Sequence, residues 1–374
     1  MKALQENGFE TYLVGGCVRD LLVGIEPKDF DISTTARPRQ VKKLIGNSFI
    51  IGRRFRLVLA KRDEEQFEIS TFRRAPTAED LENDDLEGDN LFGSPEEDAH
   101  RRDFTLNALF YDPVRGQIVD HADGLIDLKA RKLRMIGDPN VRLLEDPIRI
   151  LRAIRLAHKT GCRINPELKE NITKHAHSLK DTALPRRREE ILKFLRLKNP
   201  YAAFIQLYDL GVLEQLSPHL NFLFENPTAR SWFYELLIKA TLEFRKNAPT
   251  HYLFMILLTG YVLGHTTFDQ ACDWLKEDDQ QQFLKMELGL FNIESTAIAQ
   301  AFRQLTELTQ IEIDDFERKG DRRKMGLLSQ KSFPMALTLG QWTSMLSDYQ
   351  IAFWSEQYLK YEKDWTKTPI SDNS

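Results

Sequence analysis

The stretch TYLVGGCVRDLLVGIEPKDFDIS, residues 11–33, decides how the chain is read. Residues 11–14 predict a short strand, Gly15-Gly16 breaks it, and residues 18–22 can start a helix. Paired glycines at a strand-to-helix junction let backbone approach a bulky anion, and a helix N-terminus favours negative charge. Arg19 suits a bidentate phosphate contact; a tight turn with a surface Arg19–Asp20 pair suits the same residues equally. Residues 28–33 then alternate as a second strand, with Phe30 and Ile32 on one face and Asp29 and Asp31 on the other. Two carboxylates on one face repel and are eased by a cation. Hard carboxylate oxygens suit Mg²⁺, which keeps waters and substrate phosphates as its other ligands. An exposed polar strand face is the alternative for an Asp-x-Asp pair taken alone.

Outward from this stretch, the 374 residues allow two or three domains, and 52 Lys+Arg against 56 Asp+Glu exclude a uniformly basic nucleic-acid binder. The charge is segregated. Residues 78–98 hold ten acidic side chains and no basic one, which predicts a solvated loop. Residues 129–163 hold ten basic side chains and three acidic ones. Within them Arg149, Arg152 and Arg155 recur every three residues, so a helix would stack them. Such a row is either a solvated basic face or a seat for polyphosphate or nucleic-acid backbone. Three scattered cysteines, Cys17, Cys162 and Cys272, make neither a disulfide framework nor a zinc site and predict a reducing, cytoplasmic setting. The longest apolar run, 252–263, is too short to span a bilayer, so no membrane partner is expected.

Three further constellations carry chemistry. In residues 101–109, RRDFTLNAL, a helix is predicted over 102–109. Asp103 is either its cap or a carboxylate turned toward Asp29 and Asp31, with an arginine on phosphate. Glu68, on a strand predicted over 66–72, competes as the third carboxylate. In residues 145–155, EDPIRILRAIR, Asp146 and Arg149 stand three apart on a predicted helix. They form either an ion pair or a base reader. One carboxylate and one guanidinium match the amino-plus-acceptor edge shared by adenine and cytosine, and mismatch uracil and guanine.

In this order the pieces resemble the class II nucleotidyltransferases that extend RNA 3′ ends, the tRNA CCA-adding enzymes and bacterial poly(A) polymerases. The match runs over residues 12–218 and is carried by Leu13-Val14-Gly15-Gly16-x-Val18-Arg19-Asp20, Asp29-x-Asp31, Arg101-Arg102-Asp103-x-Thr105-x-Asn107-Ala108 and Glu145-Asp146-x-x-Arg149-x-x-Arg152-Ala153-x-Arg155. The resemblance implies an α+β chain: a small polymerase-β-type nucleotidyltransferase head with a mixed sheet, then an all-helical neck, body and tail. The expected divisions are 1–137 for the catalytic head, 138–195 for a base-reading neck, and 196–374 for an RNA-binding body and tail. It implies metal ions on Asp29 and Asp31, with Mg²⁺ or another hard divalent cation, and Asp103 as the further catalytic carboxylate. Gly15, Gly16, Arg19, Arg102, Arg152 and Arg155 would bind the nucleotide's phosphates, and Asp146 and Arg149 its base. ATP and RNA 3′ ends are the implied partners.

Residues 50–58, IIGRRFRLV, and 89–99, DNLFGSPEEDA, resemble the poly(A) polymerase branch, although Leu59 stands where that branch usually has His. The basic C-terminal tail of some such enzymes has no counterpart in Asp372-Asn373-Ser374, and no His-Asp dipeptide suggests an attached phosphohydrolase domain. Template-independent addition of AMP from ATP is therefore the expected activity, and CCA addition to tRNA from CTP and ATP the alternative.

Overall fold

A computed structural model describes residues 1–52, 56–77, 80 and 91–365. The chain divides into two compact units, Met1–His175 and Ala176–Ser374. Their boundary falls inside the 138–195 stretch. Most of the acidic run (78, 79 and 81–90), and with it Asp89 and Asn90, lies outside the described residues, as do Arg53, Arg54 and Phe55.

The first unit is built on one sheet. Its strands are β1 (Thr11–Val14), β2 (Asp31–Thr34), β3 (Ser48–Ile51), β4 (Leu57–Arg62), β5 (Glu65–Thr71), β6 (Leu109–Asp112) and β7 (Gln117–Asp120). They lie in the order β3-β4-β5-β2-β1-β6-β7. β2 and β5 run parallel and the other neighbours antiparallel, so the expected mixed sheet is present. Alternation divides the side chains. Tyr12 and Val14 join Phe72, Ala99, Ala108, Phe110 and Ile136 in one buried cluster. Ile32 joins Leu4, Ala36, Val41, Val58, Ala60 and Ile69 in another. The helices are α1 (Lys2–Glu6), α2 (Gly16–Leu22), α3 (Pro38–Leu44), α4 (Pro95–His100), α5 (Gly124–Lys129), α6 (Pro139–Glu145), α7 (Ile148–Thr160) and α8 (Pro166–His175). A two-stranded parallel pair, β8 (Lys132–Leu133) and β9 (Arg163–Ile164), ties residues before α6 to those after α7.

Three local expectations are corrected. β2 begins at Asp31, so Asp29 sits in the preceding connection and the two carboxylates are not neighbours on one strand face. Residues 102–109 form no helix: a short 3₁₀ turn, Thr105–Asn107, leads into β6. Pairing of β6 with both β1 and β7 and the burial of Leu109 and Phe110 outweigh the helical preference of so short a segment. Asp146 is not inside a helix either. It ends α6 with extended backbone, and Pro147 precedes α7, because proline disfavours a helical residue before it.

The second unit is helical, and prolines open several of its helices. Pro200, Pro218 and Pro227 each occupy the first position of a helix, where a missing N–H costs nothing. Asn199, Ser217 and Asn226 cap those helices by accepting from backbone N–H groups. The apolar run forms the helix Thr250–His265, with Leu253 through Val262 wholly buried. Gly264 lets it close on the helix Pro227–Lys239: a Cβ there would stand 2.6 Å from that of Ala229. Buried Arg245 donates to the carbonyls of Leu237 (2.7 Å), Leu195 (2.9 Å) and Leu197 (3.0 Å), collecting helix-end acceptors onto one charge. No helix among the described residues is long and apolar enough to cross a membrane.

Aromatic rings form the centre of the first of the head's buried clusters. Phe72 is wholly buried, with its ring centroid 5.8 Å from Phe110 and 6.1 Å from Tyr12. Phe72→Ala should cost about 3–5 kcal/mol in chemical denaturation; a loss below about 1 kcal/mol would show that the cluster does not anchor the sheet.

Candidate active site

Gly15, Arg19, Asp31 and Arg102 come together around the β1–α2 turn of the first unit. Gly15 has φ 72°, open to glycine at little cost, and a Cβ on it would stand 2.8 Å from Arg102 Nη1. Backbone and guanidinium are therefore in close contact. Arg102 is held by Asp98 of α4, which accepts from Nε (3.1 Å) and Nη2 (2.8 Å), while Nη1 donates to the Asn107 carbonyl (3.2 Å). Its guanidinium also lies 5.1 Å from the Phe110 ring centroid. α4 is in place because Ser94 and Glu97 close a capping box at its start.

Asp31 reaches solvent, yet loss of water around it raises its pKa above the ordinary aspartate value. Arg102 draws it back down and the nearby charge of Asp29 raises it again. Glu68 is exposed and is the register partner of Asp31 across the parallel β2–β5 pair, so the two side chains leave the same sheet face. Among the described residues no group of three or more His, Cys, Asp or Glu side chains is placed to hold a metal ion. What exists is a solvent-reachable carboxylate pair under electrostatic pressure. That donor set fits Mg²⁺, which binds through one or two carboxylates plus substrate phosphates.

Arg19 departs from the expected picture. It pairs with Asp20, but the pair is buried rather than on the surface: Arg19 is 6% exposed, and Nε and Nη2 donate to Asp20 Oδ1 at 2.9 and 2.7 Å. Lys159 of α7 donates to the other Asp20 oxygen at 2.6 Å, and burial lowers the Lys159 pKa. Arg19 Nη1 also donates to Asn107 Oδ1. Asp103 is 7% exposed, accepts from the Phe104 N–H (2.9 Å) and Asn107 Nδ2 (2.8 Å), and pairs with Arg152 at 2.7 Å. Its partner is thus an α7 arginine, and Glu68 is the carboxylate beside Asp31. Arg149 donates to the Arg142 carbonyl (2.6 Å) and to Glu145 Oε2 (3.2 Å). The predicted row on α7 is real, and Arg149 and Arg152 each already hold a protein acceptor. Asp146 and Arg155 are half-buried and engaged in contacts of their own.

Sequence reading passed over Asn107, Asp98, Lys159 and Arg142. Asn107 bridges Asp103, Arg19 and Arg102 with one amide and one carbonyl. Its presence inside the 101–109 motif was the available signal. Lys159 had none, because its partner lies 139 residues away.

Residues 11–134 match the family described as "Poly A polymerase head domain", and residues 161–224 that described as "Probable RNA and SrmB- binding site of polymerase A". The chain belongs to the poly(A) polymerase and tRNA nucleotidyltransferase family. It is 43% identical over 226 residues to poly(A) polymerase I of Salmonella typhi, covering 58% of this chain and 49% of that one. It is 33% identical over 267 residues to the CCA-adding enzyme of Lactobacillus johnsonii, covering 68% and 65%. The chain thus spans about half the length of the first of these. The crystal structure of the Bacillus stearothermophilus CCA-adding enzyme in complex with CTP superposes with a TM-score of 0.66 at 23% identity, over 99% of this chain and 81% of that one. That likeness establishes the fold, a polymerase-β-type head followed by helices.

The charges around Asp31 make a prediction for the metal-free protein. Its carboxyl should titrate above the ordinary aspartate range in a carbon-13 NMR titration; Arg102→Ala should move the midpoint further up and Asp29→Asn should move it down. With the folded-state value raised, folding favours the protonated form, and that contribution is lost as pH rises through the Asp31 midpoint.

Proposed function

We propose that the chain extends RNA 3′ ends without a template by transferring AMP from ATP. The observation that carries the reading is the close approach of the Gly15 backbone to Arg102, whose charge, with that of Asp29, acts on the Asp31 carboxylate. A phosphate-binding backbone, a cation and a metal-seeking carboxylate pair adjoin one another. Asp29 and Asp31 would hold the divalent ion, which when bound supplies charge stabilisation at the attacking and leaving oxygens. The chain's own residues do the rest. The Gly15–Gly16 backbone and Arg102 receive phosphate oxygens, and Arg152, oriented by Asp103, adds a second cation. Arg155 extends the same row. Arg19, locked by Asp20 and Asn107, acts from behind by shaping the turn at the start of α2. Asp146 and Arg149, at the junction of α6 and α7, face the base and accept an amino-plus-acceptor edge.

Adenylate transfer is favoured over CCA addition by the higher identity to the poly(A) polymerase relative and by the resemblance of residues 50–58 and 89–99 to that branch. CCA addition is the second reading, since the match to a CCA-adding relative spans more of the chain.

The two are separated by supplying purified protein with CTP alone and ATP alone, on tRNA lacking its end and on an unrelated RNA. Efficient use of ATP on both RNAs is expected; a requirement for CTP and for tRNA would replace the proposal with CCA addition. In the same assay Asp29→Ala and Asp31→Ala should each lower incorporation by on the order of 10³-fold, with circular dichroism unchanged. Full activity in either variant would remove the metal assignment.

A further inference from the structure

One side chain beside the site is not used by this reading. Arg142, in the last turn of α6, points its Nη2 at the carbonyls of Arg101 (2.9 Å) and Arg102 (3.1 Å). Its Nη1 donates to Glu145 Oε2 at 2.8 Å, and the same carboxylate oxygen accepts from Arg149 Nη1 at 3.2 Å. Arg149 Nη1 returns to the Arg142 carbonyl at 2.6 Å. Arg142 therefore grips the backbone of the segment that carries Arg102. Through Glu145 and its own carbonyl it also grips the guanidinium of Arg149. Its side chain is only 19% exposed, and its Nε is buried without a hydrogen-bond partner. Leaving a charged donor unpaired is costly, so surface solvation does not account for its placement. The two ends of the fork do separate tasks that a lysine ammonium cannot divide.

We propose that Arg142 is a specificity-determining positioning residue: it fixes the direction of Arg149 relative to the Arg101-Arg102 segment. Base reading at Arg149 and phosphate binding at Arg102 then share one frame. The inference rests on the base-reading role given above to Asp146 and Arg149. A free arginine side chain samples many rotamers and can turn its donors toward several base edges. A guanidinium held in one plane presents a fixed pair of donors, and an edge with donor and acceptor reversed leaves polar groups unpaired. The tether converts a general cation into a selective one.

The test measures kcat and KM for ATP, CTP, GTP and UTP with an RNA primer, using the full chain. The proteins are wild type, Arg142→Ala, Arg142→Lys, Glu145→Ala, Arg149→Ala and the double variant Arg142→Ala/Arg149→Ala. Arg149→Ala should relax discrimination against GTP and UTP. Arg142→Ala should relax the same ratio by on the order of tenfold, and Arg142→Lys should not restore it. The double variant should be no less selective than Arg149→Ala alone, because both changes remove one function. A merely structural role would lower turnover of all four nucleotides alike and leave their ratio where it was. Glu145 is half exposed, so Glu145→Ala carries the same test should Arg142→Ala fail to fold. If Arg149→Ala relaxes selection while Arg142→Ala and Glu145→Ala keep the wild-type ratio, the proposal is overturned and base reading stands. If Arg149→Ala leaves selection intact, base reading falls, and the role of Arg142 falls with it.

Discussion

The charge on the Asp31 carboxylate is the constraint on which the site depends. Loss of water around Asp31 raises the energy of its charge, the charge of Asp29 adds to this, and a nearby positive charge relieves it. Arg102 supplies part of that charge and is itself fixed at three points: the Asp98 carboxylate, the Asn107 carbonyl and the Phe110 ring. Each anchor belongs to a different piece of structure. Asp98 requires the capped helix α4, Asn107 the 3₁₀ turn, and Phe110 the aromatic cluster under β1 and β6. The electrostatics of a few side chains thus depend on packing across the whole sheet.

A second layer of charge surrounds the first and is mostly satisfied within the protein. Arg19 answers Asp20, Lys159 shares that carboxylate, Arg152 answers Asp103, and Arg149 answers Glu145. Under the proposed activity, a nucleotide that takes Arg149 or Arg152 competes with an internal acceptor instead of meeting a free cation. Arginines held this way lose little further side-chain entropy on binding, and a poorly matched ligand leaves them with their original partners.

Much of this was legible in the chain. β1 begins and ends where its apolar run does, Gly15 breaks it as expected, and α3 follows Pro38. The arginine spacing of residues 149–155 correctly foretold a helix, and prolines stand at the first positions of several helices of the second unit. The failures have two causes, distant partners and one local signal passed over. Residues 102–109 look helical by local pattern, but Phe104 bridges Met135 and Leu109 pairs with β7, and the pattern contains neither partner. Asp146 looks like the first residue of a helix pair, but Pro147 forces the backbone before it to extend. Arg19 reads as a surface cation because the residues that bury it lie far along the chain.

Interactions between near neighbours are written in the amino-acid order, since turn chemistry, capping and side-chain period act over a few residues. They specified the strand-turn-helix around Gly15, the arginine row and the family resemblance. Which charge meets which was left to long-range closure. The pairings Asp20 with Lys159, Asp103 with Arg152, and Arg142 with the Arg101 and Arg102 carbonyls join segments that meet only when the sheet has formed and α6 and α7 have packed. Charge pairing of that kind falls off within ångströms of space and is indifferent to separation along the chain, so no reading confined to local pattern could have assigned it.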